Sequence, residues 1–208
     1  LERFGGTLVN KVAITNGPGA QRGLYVGTIS TSATGANGQL NMTLFPAAAA
    51  GGSDNRLDVW NMYNRVSVPS TCRDNTNTWV YNTGAFRPLN NDQGGAGTNV
   101  KNRITVVCGI MEDAVVVSSS IFVQNSVNSN TYTGIGLDST SAWAGTPAGG
   151  FTPGAGTTWQ AEYRGLISVG SHYFQALEYG GTSGTTTWNG DAGAPTLIQS
   201  GLMLTWMM

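Results

Sequence analysis

Apolar and polar residues alternate along most of this chain, in short segments separated by glycine, asparagine and aspartate. The alternation is densest near the C-terminus, where Gly170–Gly180, Thr185–Asp191 and Ser200–Met208 also carry aromatic residues. A period of two places successive side chains on opposite faces of a strand, whereas an amphipathic helix needs apolar residues three and four apart. Because helical spacing is almost absent, the chain is constrained to fold as strands.

The alternation predicts about a dozen short strands. Leu57–Asn64 fits a helical period and an alternating period equally well, and we interpret it as strand or irregular structure. The predicted strands are centred on Leu8 and on Lys11–Ile14, Leu24–Ile29, Leu40–Phe45, Thr78–Tyr81, Ile104–Ile110, Ala114–Val123, Tyr132–Leu137, Trp159–Tyr163, His172–Tyr179, Thr185–Trp188 and Leu202–Trp206.

Regularly spaced strands with turn residues between them predict an all-β fold, and specifically a jelly-roll-like antiparallel β-sandwich. At 208 residues such a sandwich is commonly one domain. We expect residues 1–23 to form an N-terminal lead or linking strand and residues 24–208 to form the domain. The β-branched segments Ile104–Ile110 and Ala114–Val123 are expected at the centre of a sheet, and the Gly- and Pro-rich stretch Ser141–Thr158 is expected to be an exposed loop.

The charge composition excludes several classes of partner. Lys and Arg number 10 and Asp and Glu number 11, which gives a formal net charge of -1. No basic field is available to hold a nucleic acid backbone or an anionic bilayer, and no apolar stretch approaches the roughly 20 residues that span a membrane. We therefore expect no nucleic acid partner and no membrane insertion.

Catalytic and metal-binding signatures are weak. The single histidine, His172, has no Gly-x-Ser-x-Gly nucleophile to pair with, and we interpret it as a packed or interface residue. Cys72 and Cys108, thirty-six positions apart, give no zinc spacing with it. One disulfide and two free thiols both remain open for this pair. We expect no cofactor, no metal and no enzymatic activity.

Carboxylates leave a hydrolytic alternative open. Glu112 and Asp113 are neighbours and would face opposite ways in a strand. Glu162, Glu178 and Asp191 could converge in space, as the two carboxyl groups of a glycosidase must. Two turns, Gly136–Thr140 and Asn189–Asp191, carry oxygen ligands for calcium, but turn formation explains them better.

Aromatic and arginine residues point to recognition surfaces. Most of the aromatic residues must be core, but Trp143 lies in the Gly- and Pro-rich stretch and is the best candidate for stacking on a sugar. Tyr132 and Asp138 complete the candidate ligand-binding residues. Arginines outnumber lysines eight to two, and the planar guanidinium suits stacking and pairing in packed or intersubunit surfaces. We therefore expect an oligomer.

A series of segments resembles a C-terminal module of tailed-bacteriophage virion proteins, of the kind carried on tail fibres, spikes and head fibres. The resemblance covers roughly Leu24–Met208. It rests on Trp60–Val66, Asp74–Trp79, Cys108–Val115, Gly134–Thr140, Gly170–Glu178 and Thr187–Asp191.

The resemblance implies a β-rich homotrimeric module on the surface of a virion, assembled in the host cytoplasm. Its partners would be other copies of itself, other virion proteins and host cell-surface carbohydrate. Two alternatives stay open: a capsid-decoration or assembly protein that binds only virion subunits, and a polysaccharide-degrading glycosidase.

Overall fold

The computed structural model of the protein describes residues 1–31, 57–63, 65–91, 102–112, 114–191 and 199–207. Strands make up 56% of the structure and pair antiparallel, which confirms the predicted all-β class. In this part of the chain no helix is long and apolar enough to cross a membrane. The chain divides into two compact units, one ending at Val66 and one spanning Ser67–Met207. This division falls later than the boundary at residue 24 that the sequence suggested.

The described part of the first unit contains two strand pairs. Strands β1 (Glu2–Phe4) and β2 (Thr7–Val9) form a hairpin, and β3 (Gly27–Thr31) pairs with β4 (Leu57–Asn61). Asn10 organises the loop that follows β2, because its side-chain amide donates to the carbonyls of Val12 and Gly19 and its oxygen accepts from the Gly23 N–H. The strand predicted at Lys11–Ile14 is wrong, since these residues belong to that loop.

The second unit is one curled antiparallel sheet of eleven strands. Along its main path the order is β5-β15-β9-β12-β11-β10-β13-β7. The strands are β5 (Ser67–Arg73), β6 (Thr78–Val80), β7 (Phe86–Pro88), β8 (Arg103–Cys108), β9 (Ala114–Asn125), β10 (Asn130–Leu137), β11 (Ala144–Phe151), β12 (Thr157–Leu166), β13 (Gly170–Tyr179), β14 (Thr186–Asn189) and β15 (Gly201–Met207).

Two long strands organise this sheet. One edge of β9 carries β15 and then β14 end to end, and one edge of β13 carries β8 and then β7 in the same way. The sheet folds over at β11, which joins β12 on one side to β10 on the other. The result is sandwich-like, with the strands around β9 facing the strands around β13.

The core lies between these two halves of the sheet. Alternate residues of the long strands point inward, as the burial of every second residue of β9 shows. Ile121, Phe174 and Trp188 are fully buried there. The Ala114–Val123 segment is central, as predicted, whereas Ile104–Ile110 supplies β8, which pairs only with β13 among the described strands.

The prediction that Ser141–Thr158 is an exposed loop is wrong, because Ala144–Phe151 forms β11. Glycine is required in β11 because the neighbouring strands leave no room for a side chain, and not because the chain turns there. A Cβ atom on Gly149 would lie 2.3 Å from the ring of Tyr132, and one on Gly145 would lie 2.5 Å from the Glu162 carbonyl. Pro147 falls where the pairing of β10 with β11 shifts register, a position at which a missing N–H is tolerated.

The C-terminal strand is built into the sheet. β15 pairs with β5 on one side and β9 on the other, and Leu202, Leu204 and Trp206 are buried. The two cysteines do not form a disulfide with each other; Cys108 is buried and Cys72 is partly buried. The predicted strand Leu40–Phe45 lies outside the described residues.

Candidate functional site

One face of the β11–β10–β13–β7 region turns away from the core and carries a row of aromatic residues. The strand register places Gly149, Tyr132, Tyr179 and Phe86 side by side across four strands. The Tyr132 and Tyr179 rings meet edge to face with centroids 5.3 Å apart, and Phe86 lies 5.3 Å from Tyr179 on its other side. Each ring therefore holds its neighbour in place.

Trp143 lies beside this row, over a strip without side chains. A Cβ atom on Gly134 would lie 2.9 Å from the Cβ of Trp143 and 3.5 Å from the Phe86 ring. One on Gly136 would lie 2.1 Å from the backbone oxygen of Ser139. The two glycines thus allow the loop between β10 and β11 to fold back onto the sheet and to present Trp143 beside the aromatic row.

We call Phe86, Tyr132, Trp143, Phe151 and Tyr179 the aromatic face. Phe151, paired with Asn130 one row further along, is 74% exposed, and Trp143 is 49% exposed. The other three rings are partly buried. Exposed rings on a rigid sheet offer flat apolar surface with little conformational freedom left to lose, which suits stacking against the apolar face of a sugar ring.

A second cluster lies where β10 ends and β13 begins. The His172 Nδ1 atom is 2.6 Å from the Asp138 carboxylate, and its Nε2 atom is 3.1 Å from the Ser168 hydroxyl and 2.9 Å from the Ser168 carbonyl oxygen. The second carboxylate oxygen of Asp138 accepts from the Tyr173 N–H at 2.9 Å. The Asp138 side chain is 43% exposed and that of His172 is 13% exposed.

Local backbone geometry holds this cluster. Asp138 adopts a positive φ of 52°, a conformation that aspartate tolerates, and its N–H donates to the Tyr173 carbonyl at 3.0 Å. The carboxylate is therefore committed to His172 and Tyr173, so the Gly136–Thr140 turn does not aim it at a cation. Across the described residues no group of three or more His, Cys, Asp or Glu side chains could hold a metal ion.

A buried carboxyl, Glu178, lies inside the second unit. It is fully buried, and it accepts from the Trp79 indole N–H and the Arg87 Nε–H, each at 2.6 Å. The Arg87 guanidinium stacks 3.7 Å from the centre of the Tyr81 ring. Burial raises the pKa of Glu178 to about 7, even though the Trp79 and Arg87 hydrogen bonds oppose the shift.

A second buried carboxyl belongs to an amide network. Asp74 accepts from the side chains of Asn90 and Asn102 and from the Thr76 N–H. Burial acts to raise its pKa, but these hydrogen bonds outweigh burial, so the pKa of Asp74 lies below its usual range. The network ties β5 to the turn Leu89–Asn91 and to the start of β8. Both buried carboxyls are thus structural.

Of the three carboxylates left open for a glycosidase, Glu178 is fully buried. Glu178 faces the core with both oxygens occupied, whereas Glu162 faces outward on β12, between the core residues Ala161 and Tyr163. Asp191 lies in the turn after β14, where its N–H donates to the Thr76 carbonyl. A sugar could not reach Glu178 without unfolding the strands around it.

Of the candidate ligand-binding residues, Tyr132 and Trp143 lie on the same face, and Asp138 begins the loop that ends at Trp143. Sequence reasoning missed Phe86, Phe151 and Ser168. Phe86 is found only through its pairing with Tyr179, and Ser168 only through the β12–β13 connection that brings it to His172. Neither relation leaves a local sequence signal.

No protein-family model matches this chain, and no curated protein shows significant similarity to it.

Proposed function

We propose that this protein is a bacteriophage virion appendage module whose aromatic face binds host cell-surface glycan. The observation that carries the proposal is the aromatic face itself, a register-matched row of rings flanked by the exposed Trp143 and Phe151. The virion setting rests on the resemblance of the sequence segments described above. The curled all-β architecture supports the proposal because it supplies a rigid platform for such rings.

The low charge of the chain is consistent with a neutral ligand. Charged residues are 10% of the sequence, and on the aromatic face Gly134 and Gly149 lie directly beside the rings. Sugars are recognised by stacking and by neutral hydrogen-bonding groups rather than by a strong field.

We also propose that the sandwich-like sheet is a jelly-roll-like sandwich and that it assembles as a homotrimer. Arg103 stacks 4.0 Å from the Tyr173 ring, and Arg87 stacks on Tyr81, so two arginines already serve as planar packing groups within one chain. Size-exclusion chromatography with light scattering tests the assembly: three times the chain mass of 21.7 kDa is expected, and a monomer at micromolar concentration would rule it out.

A glycan array tests the binding proposal. Wild-type protein is expected to bind at least one bacterial surface glycan, and Trp143→Ala to bind it about tenfold more weakly, the order of magnitude expected when one stacking ring is lost. Phe4→Ala is the matched control, because Phe4 is an exposed aromatic residue in the first unit and should bind like wild type.

Adsorption to host cells separates this proposal from its main alternative. A capsid-decoration protein would bind virion subunits but neither glycans nor cells. Absence of wild-type binding to any glycan and to host cells, together with binding to virion particles, would overturn the proposal in favour of decoration.

A further inference from the structure

The cluster of Ser168, His172 and Asp138 has the hydrogen-bond order of a serine nucleophile, a general base and an orienting carboxylate. We propose that it cleaves carboxylic esters of short acyl groups. Ser168 would be the nucleophile, His172 the base, and Asp138 a positioning residue. This activity would not depend on glycan binding, and no sequence motif marks the three residues.

The carboxylate fixes the ring. Nδ1 of His172 lies 2.6 Å from Asp138 Oδ2, so the proton on Nδ1 is donated to the carboxylate and Nε2 is left to accept. The other carboxylate oxygen is held by the Tyr173 N–H, which prevents the carboxyl from turning away. The carboxylate therefore fixes the orientation of the ring and directs Nε2 toward Ser168, where the hydroxyl can donate to it and the carbonyl oxygen can only accept from it.

Nε2 of the His172 ring has a hydrogen-bond partner both before and after it takes a proton. When neutral, Nε2 accepts from the Ser168 hydroxyl at 3.1 Å. Once Nε2 has taken that proton, it can donate to the Ser168 carbonyl oxygen at 2.9 Å, while Asp138 neutralises the charge of the imidazolium. A histidine that served only to cap the connection would not need the hydroxyl.

The connection between β12 and β13 presents the hydroxyl to solvent. Ser168 is exposed, and Gly170 has a φ of 137°, a conformation that brings the chain back toward the His172 ring and that side-chain-bearing residues rarely adopt. Leu166 and Val169, two residues before Ser168 and one residue after it, are each 54% exposed and give this part of the chain apolar surface.

The reaction balances without a further reagent. Ser168 Oγ bonds to the acyl carbon as its proton passes to His172 Nε2, and the carbonyl oxygen takes the negative charge. Collapse breaks the ester C–O bond, and the alcohol leaves with the proton from Nε2. Water, deprotonated by the same nitrogen, then releases the carboxylic acid and restores Ser168.

Labelling by a fluorophosphonate tests the nucleophile. Wild-type protein is expected to gain one adduct by intact mass, and peptide mapping should place it on Ser168. Ser168→Ala should gain none. Ser171→Ala, which removes an exposed serine three residues away, should label like wild type. No adduct on the wild type, or an adduct elsewhere, would overturn the proposal.

Hydrolysis of p-nitrophenyl acetate tests the base and the positioning residue. Ser168→Ala and His172→Ala should lower kcat about 100-fold, the low end of what a positioned base supplies. Asp138→Asn should lower kcat while leaving KM unchanged, because it alters the ring tautomer and not the ester-binding surface. Wild-type hydrolysis equal to that of Ser168→Ala would overturn the assignment, since those two proteins differ only in the hydroxyl.

Discussion

At the scale of single residues, two glycines decide whether the aromatic face can exist. Gly134 and Gly136 lie on the outward side of β10, and each is covered by the loop that carries Trp143. An outward side chain at either position would occupy the space that the loop now fills. The aromatic face therefore depends on the absence of side chains at Gly134 and Gly136 as well as on its five rings.

Gly136→Ala tests this dependence. Its Cβ would lie 2.1 Å from the Ser139 backbone oxygen, so the loop must move. We expect a loss of about 1–3 kcal/mol in the free energy of unfolding and a changed Trp143 environment. Gly154→Ala is the matched control, because its Cβ would make only an ordinary contact of 3.7 Å with the Asn125 oxygen. Urea denaturation measures both, and equal stability of the two variants would contradict this account of the loop.

Glu178 predicts how stability depends on pH. Burial raises its pKa from 4.5 in an exposed setting to about 7 in the folded protein. Between these values the folded state holds a proton that the unfolded state has lost, so the free energy of unfolding falls as pH rises. The stability is fully present below about pH 4.5 and is lost by pH 7 to 8. The size of the effect is on the order of 3 kcal/mol.

Glu178→Gln supplies the comparison, because glutamine keeps the shape of the side chain and does not ionise. Urea denaturation from pH 5 to pH 8 should show the wild type losing stability relative to the variant as pH rises. Taking the difference removes other titrating groups, and Asp74 acts only at lower pH because its pKa is lowered. Parallel profiles for the two proteins would show that Glu178 does not titrate in this range.

At the scale of elements, alternation identified the strands whose two faces differ. β9 and β12 alternate between buried and outward residues along most of their length, and the sequence predicted both. It missed β11, because the glycines and the proline of this strand are typical of a loop. The glycines are needed there because the Tyr132 ring and the Glu162 backbone lie against them. It also missed β7, whose three residues are too few to show a period, and β5, although the exposure of its residues alternates.

The candidate site was predictable only in part, for a related reason. Trp143 and Tyr132 carry their own signal, an aromatic ring in a polar or alternating segment. The partners of His172 do not, since Asp138 reaches it through the pairing of β10 with β13 and Ser168 through the connection after β12. Strand pairing brings these groups together, and a single sequence does not specify the register between strands that lie far apart in the chain.

β15 offers a test of how the C-terminal strand stabilises the fold. Leu204 is buried between β5 and β9, whereas the adjacent Met203 faces outward. Leu204→Ala should lower the free energy of unfolding by about 2–5 kcal/mol, and Met203→Ala by less than about 0.5 kcal/mol. Deletion of residues 202–208 should abolish folding, as limited proteolysis would show. A truncated protein that resists protease would contradict the central role of β15.

At the scale of the whole molecule, the second unit divides its surfaces by chemistry. Residues facing out from β12 are mostly polar, with Thr158, Gln160 and Glu162 among them, while the β10–β13 side carries the aromatic face. Polar surface made of hydroxyls and amides keeps a protein of low charge in solution. Aromatic rings grouped on one side of the sheet are typical of a recognition surface, whereas apolar residues exposed singly are common on any protein.

The most direct test of the proposed recognition by the aromatic face is ¹⁹F NMR of protein labelled with 5-fluorotryptophan, titrated with bacterial surface polysaccharide. The chain has six tryptophans, of which Trp143 is half exposed and Trp188 is fully buried. The account predicts that the Trp143 resonance, assigned by its loss in Trp143→Phe, shifts in a saturable way while the Trp188 resonance stays in place. A saturable interaction that leaves the Trp143 resonance unshifted, or no interaction with any bacterial surface polysaccharide, would contradict it.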